Sequence, residues 1–213
     1  MPPLRTFRLI VVLAFALATA AFPAWAEKAD RFKPLNTESD LPGRIDLLNQ
    51  VVVLNGNVVV TKGTMVIRAA RIEVRESPDG YHTAVAFGSP GRHATFRQKR
   101  DEPNEWIEGD AERLEYDGKS DIVRFVNSAS WRRLRGGEVS DEINGNLITY
   151  DSATEVVNVE GGAPATAANP NGRVRAVLTP REGSAAALEA AAAASAASAA
   201  TPLKTTPSLE KTK

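Results

Sequence analysis

The side chains best suited to chemistry are sparse and badly spaced for it. There are two histidines, His82 and His93, and no cysteine in 213 residues. A zinc site built on histidine needs partners a turn or a strand-step away, and no HxH or HxxxH spacing occurs. Without cysteine, thiol nucleophiles and thiolate metal sites are ruled out. No GxSxG elbow or phosphate-cradling glycine loop is present. Asp110 with Glu112, or Asp141 with Glu142, could be cast as an acid/base pair. A solvated strand face explains them better, because a working carboxylate needs burial or a close partner to shift its pKa. No enzymatic activity, metal or cofactor is therefore expected.

Two basic clusters remain: Arg97, Lys99, Arg100, and Arg132, Arg133, Arg135. They could contact phosphate groups, but an ordinary charged face or an edge strand defended by charge is the preferred reading, because Arg and Lys runs usually label solvated faces. Trp106, Trp131, Phe87, Phe96 and Phe125 are expected in the core or lining a groove.

The elements that hold these residues repeat. Ala111-Glu112-Arg113-Leu114-Glu115-Tyr116-Asp117 leads to Ser120-Asp121-Ile122-Val123-Arg124-Phe125. Gly145-Asn146-Leu147-Ile148-Thr149-Tyr150-Asp151 leads to Thr154-Glu155-Val156-Val157-Asn158-Val159, at an offset of 145 − 111 = 34. A looser copy begins at Ala69. Such self-similarity points to one supersecondary unit stacked on itself, a design that makes long surfaces and grooves. A tight loop centred on Gly118-Lys119 would put Leu114 opposite Val123, Tyr116 opposite Asp121, and Ile148 opposite Val157. One face of each hairpin is then aliphatic, and the other carries Arg113, Glu115, Arg124, Thr149 and Asn158. Apolar positions change parity near Ala70 in Ile67-x-Ala69-x-x-Ile72-x-Val74, and again in Ile143-x-Gly145-x-x-Ile148-x-Tyr150. A parity change inside a strand marks a bulge or corner where the chain passes between sheets. The expectation is a sandwich or jelly roll of antiparallel strands between Arg44 and about Leu178.

The ends differ from this body. Residues 1–26 read as a secretory signal peptide: Arg5 and Arg8, an apolar run from Leu9 to Ala20, and Pro23-Ala24-Trp25-Ala26 before Glu27. An uncleaved anchor is the alternative, although the run falls short of the roughly 20 residues of a span. No Cys follows the run, so lipid attachment there is excluded. The mature chain is expected in an extracytoplasmic space, the periplasm in a bacterium. Losing Arg5 and Arg8 leaves a net charge of 24 − 26 = −2, so no global field draws in nucleic acid. Residues 27–182 form the strand-rich domain, with an edge strand near Phe32 to Ser39. Residues 183–213 form an Ala-rich low-complexity tail, expected to be disordered or transiently helical because it has no apolar stripe to dock.

Several segments together resemble the OstA-like family of lipopolysaccharide-export proteins. They are Asn55-Gly56-Asn57-Val58-Val59-Val60-Thr61-Lys62-Gly63-Thr64 followed by Ile67-Arg68-Ala69, then Gly91-Arg92-His93-Ala94-Thr95-Phe96-Arg97-Gln98. After them come Ile107-Glu108-Gly109, Ile143-Asn144-Gly145-Asn146-Leu147-Ile148-Thr149-Tyr150 and Arg173-Val174-Arg175-Ala176-Val177-Leu178-Thr179-Pro180. The likeness runs from about Leu35 to Pro180. It departs around Phe32 to Asp40, where the start is blurred, and in the tail, which has no counterpart.

The resemblance implies an all-β fold: a twisted, slightly open antiparallel β-jelly roll built from repeated hairpins, with an apolar interior. It implies stacking of copies edge to edge and partnership with lipopolysaccharide, an inner-membrane transport complex and an outer-membrane translocon. By the same resemblance Leu35, Ile67, Phe96, Leu114, Tyr116 and Ile148 line the interior and shield acyl chains. An open slot is expected between the sheets, and Ile148→Asp or Phe96→Asp is expected to weaken lipid capture without unfolding the protein. The competing readings are a structural or carbohydrate-binding periplasmic β protein with a filled core, and a small outer-membrane barrel. The barrel needs aromatic girdles, which thirteen aromatics (Trp 3, Tyr 3, Phe 7) serve poorly.

Overall fold

The computed structural model describes residues 30–161 and 172–199. Residues 1–26, which the sequence marks as an expected signal peptide, lie outside the described residues. Twelve strands follow in order: β1 (Leu35–Glu38), β2 (Leu41–Asp46), β3 (Val51–Lys62), β4 (Met65–Glu76), β5 (His82–Phe87), β6 (Ala94–Lys99), β7 (Glu105–Ala111), β8 (Arg113–Asp117), β9 (Ile122–Arg135), β10 (Glu138–Asp151), β11 (Val156–Glu160) and β12 (Arg175–Leu178). Every pairing is antiparallel.

Four long strands, β3, β4, β9 and β10, turn a corner and belong to two layers. In the first layer the order is β2, the start of β3, the end of β4, β5, β8, the start of β9, the end of β10, and β11. The second runs β1, the end of β3, the start of β4, β6, β7, the end of β9, the start of β10, and β12. The parity change predicted near Ala70 is this corner: β4 pairs with β6 through Arg68 and with β5 from Arg71. On β3 the register breaks between Asn55 and Val58, where Gly56 (φ 74°) and Asn57 (φ 44°) are left-handed. On β9, Asn127 (φ 64°) and Ser128 (φ 50°) do the same opposite Gly145–Leu147. Bulges of this kind bend a strand so that its inward face stays inward.

The repeated hairpins form with a longer loop than the sequence suggested. Asp117 pairs with Ile122, so Leu114 faces Phe125 and Tyr116 faces Val123; in the next copy Asp151 pairs with Val156, Ile148 with Val159 and Tyr150 with Val157. The predicted register is therefore wrong by two. Asp117 Oδ1 accepts from Lys119 N at 2.9 Å, and Asp151 Oδ1 accepts from Ala153 N at 3.0 Å and Thr154 N at 3.1 Å. Each loop closes on a left-handed residue, Asp121 (φ 58°) or Glu155 (φ 60°), which adds the extra residues. A slip of two preserves the face of every side chain, so the division into oily and wet faces stands.

The described part of the tail takes the helical form that the sequence allowed. Ala185–Ala199 is an α-helix, α1, started by Ser184, whose Oγ accepts from Ala187 N at 3.2 Å. Alanine's helix propensity suffices for this, and α1 has no apolar face to dock.

Candidate functional site

The interior between the two layers is the site to which the six predicted residues belong. Ile67 pairs with Phe96 in the second layer, and Leu114 and Ile148 both neighbour Phe125 in the first. Tyr116 pairs with Val123, and Leu35, at the N-terminal end of the row, pairs with Lys62. Five of the six are buried, and Leu35 is partly buried against the same cluster. The structure thus brings all six onto one continuous inward face.

That face is filled. Phe96 and Phe125 meet edge to face across the layers with centroids 5.8 Å apart and planes at 88°. Trp131 and Tyr150 pack at 5.9 Å. Gly109 leaves the space for this: a Cβ there would lie 2.3 Å from Phe125 Cε1. The open slot expected from the sequence is absent among these residues. Apolar walls facing a narrow gap gain dispersion contacts by closing on each other, so they close. With Ile148 fully buried, Ile148→Asp would bury a bare carboxylate and unfold the sandwich rather than spare it.

The interior is not sealed at the two ends of the row. At the N-terminal end Ile45 shares a face with Val52, which packs on the core, yet Ile45 is 65% exposed. At the C-terminal end Val157 and Val159 pair with the buried Tyr150 and Ile148 but are only partly covered, and Leu178 is 70% exposed. The outer edges of β1 and β2 at one end, and of β11 and β12 at the other, carry no further strand among the described residues. This is an open row, not a closed barrel.

Where the strands run out, opposite the corners, the layers meet along a polar rim that sequence reasoning missed. Lys62, only 5% exposed, donates from Nζ to the Tyr116 hydroxyl at 3.1 Å across the gap. Tyr116 in turn donates to Asp121 Oδ1 at 3.4 Å. Burial holds the Lys62 ammonium below its ordinary pKa. Burial, then the Asp121 charge, pushes the Tyr116 phenol far above its own. Further along, the buried Arg100 of the second layer pairs with Glu155 in the β10–β11 loop of the first. Residues 30 and 31 form a strap. The Asp30 carboxylate accepts from Thr64 N at 2.8 Å on one rim, and the Arg31 guanidinium donates to the Lys119 carbonyl on the other. Gly63 (φ 60°) is required beneath it, because a Cβ there would collide with Asp30. Lys62-Gly63 reads as a turn signal in the sequence, which conceals that the lysine points inward.

The arginines of the basic clusters are ion-paired. Arg97 lies 2.8 Å from Glu108 and 4.3 Å over the Trp106 ring. Arg132 holds Asp110 at 3.0 Å, and Asp110 also meets His93 Nδ1 at 2.9 Å. Arg135 holds Glu105 at 2.7 Å. Arg133 forks onto Asp141, which also accepts from Thr179 N at 2.8 Å. Asp141 is 2% exposed, so it is a buried structural acid and not the solvated one the sequence suggested. A cavity of about 560 Å3 at this end of the rim is lined by Arg100, Arg133, Arg135, Arg181 and by Glu102, Glu105, Glu155 and Glu182, charges of both signs that balance. Among the described residues no group of three His, Asp or Glu is placed to hold a metal ion.

Comparison with known proteins agrees with this architecture. The chain is 34% identical over 140 residues to the lipopolysaccharide export system protein LptA of Escherichia coli K12, covering 66% of this chain and 71% of that one. It is 29% identical over 175 residues to LptA of Haemophilus influenzae, covering 81% and 92%. The crystal structure of LptH from Pseudomonas aeruginosa, described as the LptA-homologous periplasmic component of a lipopolysaccharide transport device, superposes with a TM-score of 0.59 at 21% identity. It covers 71% of this chain and 99% of that one, and so shares the β-jelly-roll fold. Residues 42–156 match the family described as LptA/(LptD N-terminal domain) LPS transport protein. With that match over more than half of its length, the chain belongs to this family of lipopolysaccharide transport proteins.

Proposed function

We propose that the protein is a periplasmic bridge that carries lipopolysaccharide from the inner to the outer membrane, its interior shielding the acyl chains and its copies stacking end to end. It makes and breaks no covalent bond. Leu35, Ile67, Phe96, Leu114, Tyr116 and Ile148 form the surface that the acyl chains would touch. The carrying observation is an apolar interior that reaches both ends of the row, through Ile45 at one and Val157 and Val159 at the other.

The physical need is plain. Each acyl CH2 exposed to water costs about 0.8 kcal/mol, so a multi-chain lipid does not cross an aqueous space unaided. The uncovered edges of β1, β2, β11 and β12 suit strand addition by a second copy, or by the inner-membrane complex and the outer-membrane translocon. Stacking would join one oily interior to the next.

The filled interior favours one competing reading, a structural or carbohydrate-binding protein with an ordinary core. Titration of the purified chain with a fluorescent lipopolysaccharide and, separately, with its deacylated glycan decides between them. Saturable binding of the acylated form alone is the expected result. Binding of the glycan without a contribution from the acyl chains would overturn the proposal.

A further inference from the structure

Polar side chains at the margin of the interior are paired. Lys62 holds Tyr116, and Asp141 holds Arg133 and Thr179. Trp131 differs. It is 5% exposed and belongs to the core cluster, yet its indole N–H is buried with no hydrogen-bond partner among the described residues. An indole nitrogen can only donate, and a buried one usually finds an acceptor, because leaving it unpaired costs stability. The local fold explains why the chain supplies none. At Trp131, β9 is paired on both sides, with Gly109 of β7 and Ile143 of β10, so the neighbouring carbonyls serve the ladders. The ring packs on Tyr150 of the other layer with centroids 5.9 Å apart. Only β10 and β12 lie between it and the C-terminal edge of its own layer, and Ile143, Val157 and Val159 at that end are only partly buried.

Given the acyl-shielding function proposed above, on which this rests, we propose that the Trp131 indole is a specificity-determining donor for the cargo. It bonds an oxygen carried on an acyl chain itself, a hydroxyl or a branching ester, so that such chains are preferred to plain hydrocarbon. A plain alkyl segment offers no acceptor and leaves the N–H unpaired, whereas an oxygenated one satisfies it. Discrimination is strongest where the wrong ligand leaves a buried polar group of the site without a partner. A charged or sugar headgroup would have to shed its water to reach a donor walled by Ile143 and Tyr150, and an acyl hydroxyl or ester sheds far less. One neutral hydrogen bond also favours a chain without trapping it, which suits passage from one end of the row to the other.

Displacement of a fluorescent lipopolysaccharide from the purified protein tests this. The competing probes are N-decanoyl glucosamine and N-β-hydroxydecanoyl glucosamine, which differ by a single hydroxyl. The hydroxylated probe is expected to compete about three- to tenfold more tightly. Trp131→Phe keeps an aromatic ring and removes the donor; it is expected to bind the plain probe and to lose the preference. A merely structural role would shift both probes together. Should Trp131→Phe fail to fold by circular dichroism, Trp131 is replaced instead by benzothienylalanine, which puts sulfur in place of the N–H at nearly constant shape. A preference that persists in the variant, or none in the parent, would overturn the donor and leave the acyl-shielding function standing. No binding of lipopolysaccharide by the parent would overturn that function, and the donor with it.

Discussion

Lys62 Nζ lies 3.1 Å from the Tyr116 hydroxyl, joining the end of β3 in one layer to the end of β8 in the other. A buried ammonium at the mouth of an oily interior has two effects. It ties the layers together, and it carries a desolvation cost that leaves the tie easier to break than the apolar packing behind it.

The Tyr116 phenol has a folded pKa far above its ordinary value near 10. A group whose pKa is raised on folding contributes stability that is complete below the unfolded pKa and lost as pH rises beyond it. The urea midpoint of the parent protein is therefore expected to fall between pH 9 and pH 11 more steeply than that of Tyr116→Phe. Lys62, with its lowered pKa, works in the opposite sense: its burial cost is relieved as pH rises. Comparing the two proteins cancels most other lysines and tyrosines. Parallel pH profiles would contradict the placement of the phenol.

Gly109→Ala puts a methyl group into the Phe125 ring, 2.3 Å from Cε1 and 2.8 Å from Cζ. Overpacking of this kind costs about 1–3 kcal/mol. A lowered urea midpoint and an altered near-ultraviolet dichroism spectrum are expected, and an unchanged midpoint would show that the ring does not lie over β7.

Phe96→Ala removes one ring of the edge-to-face pair from a filled interior. The expected loss is about 3–5 kcal/mol. A loss below 1 kcal/mol, read from denaturant unfolding, would mean that the interior is already loose around Phe96, as in an open slot.

Ile45→Glu places a charge at the exposed N-terminal end of the inward face. End-to-end association would have to desolvate that carboxylate, so self-association is expected to weaken by on the order of tenfold or more. Light scattering across a concentration series measures it. A parent protein that stays monomeric throughout would remove the stacking part of the proposed function.

The sequence made the faces readable and left the spacing between them unreadable. Alternation alone placed Leu114, Tyr116 and Ile148 on one side, and the change of parity at Ala70 located the corner. The loop length depended on Asp121 and Glu155 adopting left-handed backbone, a local choice that several turn types compete for, so the register came out two residues off. Parity hid the error, because two residues return a strand to the same face. Asp141 reads in the sequence as solvated, and the inward turn of Lys62 is not legible there, for a related reason. Both are charged residues that would ordinarily meet water, and each is buried with a partner from a distant part of the chain, Tyr116 for Lys62 and Thr179 for Asp141. Whether an apolar face is filled or open is a matter of how closely two layers approach, which no pattern along one strand encodes.

The central claim is that this filled interior opens to take acyl chains. Its most direct test replaces Phe96, in the middle of the interior, by a photo-crosslinking amino acid in cells that make lipopolysaccharide, with a second position on the outward face, Glu108, as the control. Light-dependent lipopolysaccharide adducts at Phe96 and none at Glu108 are the predicted result. Adducts at neither position, in a protein shown to be folded and exported, would contradict the account.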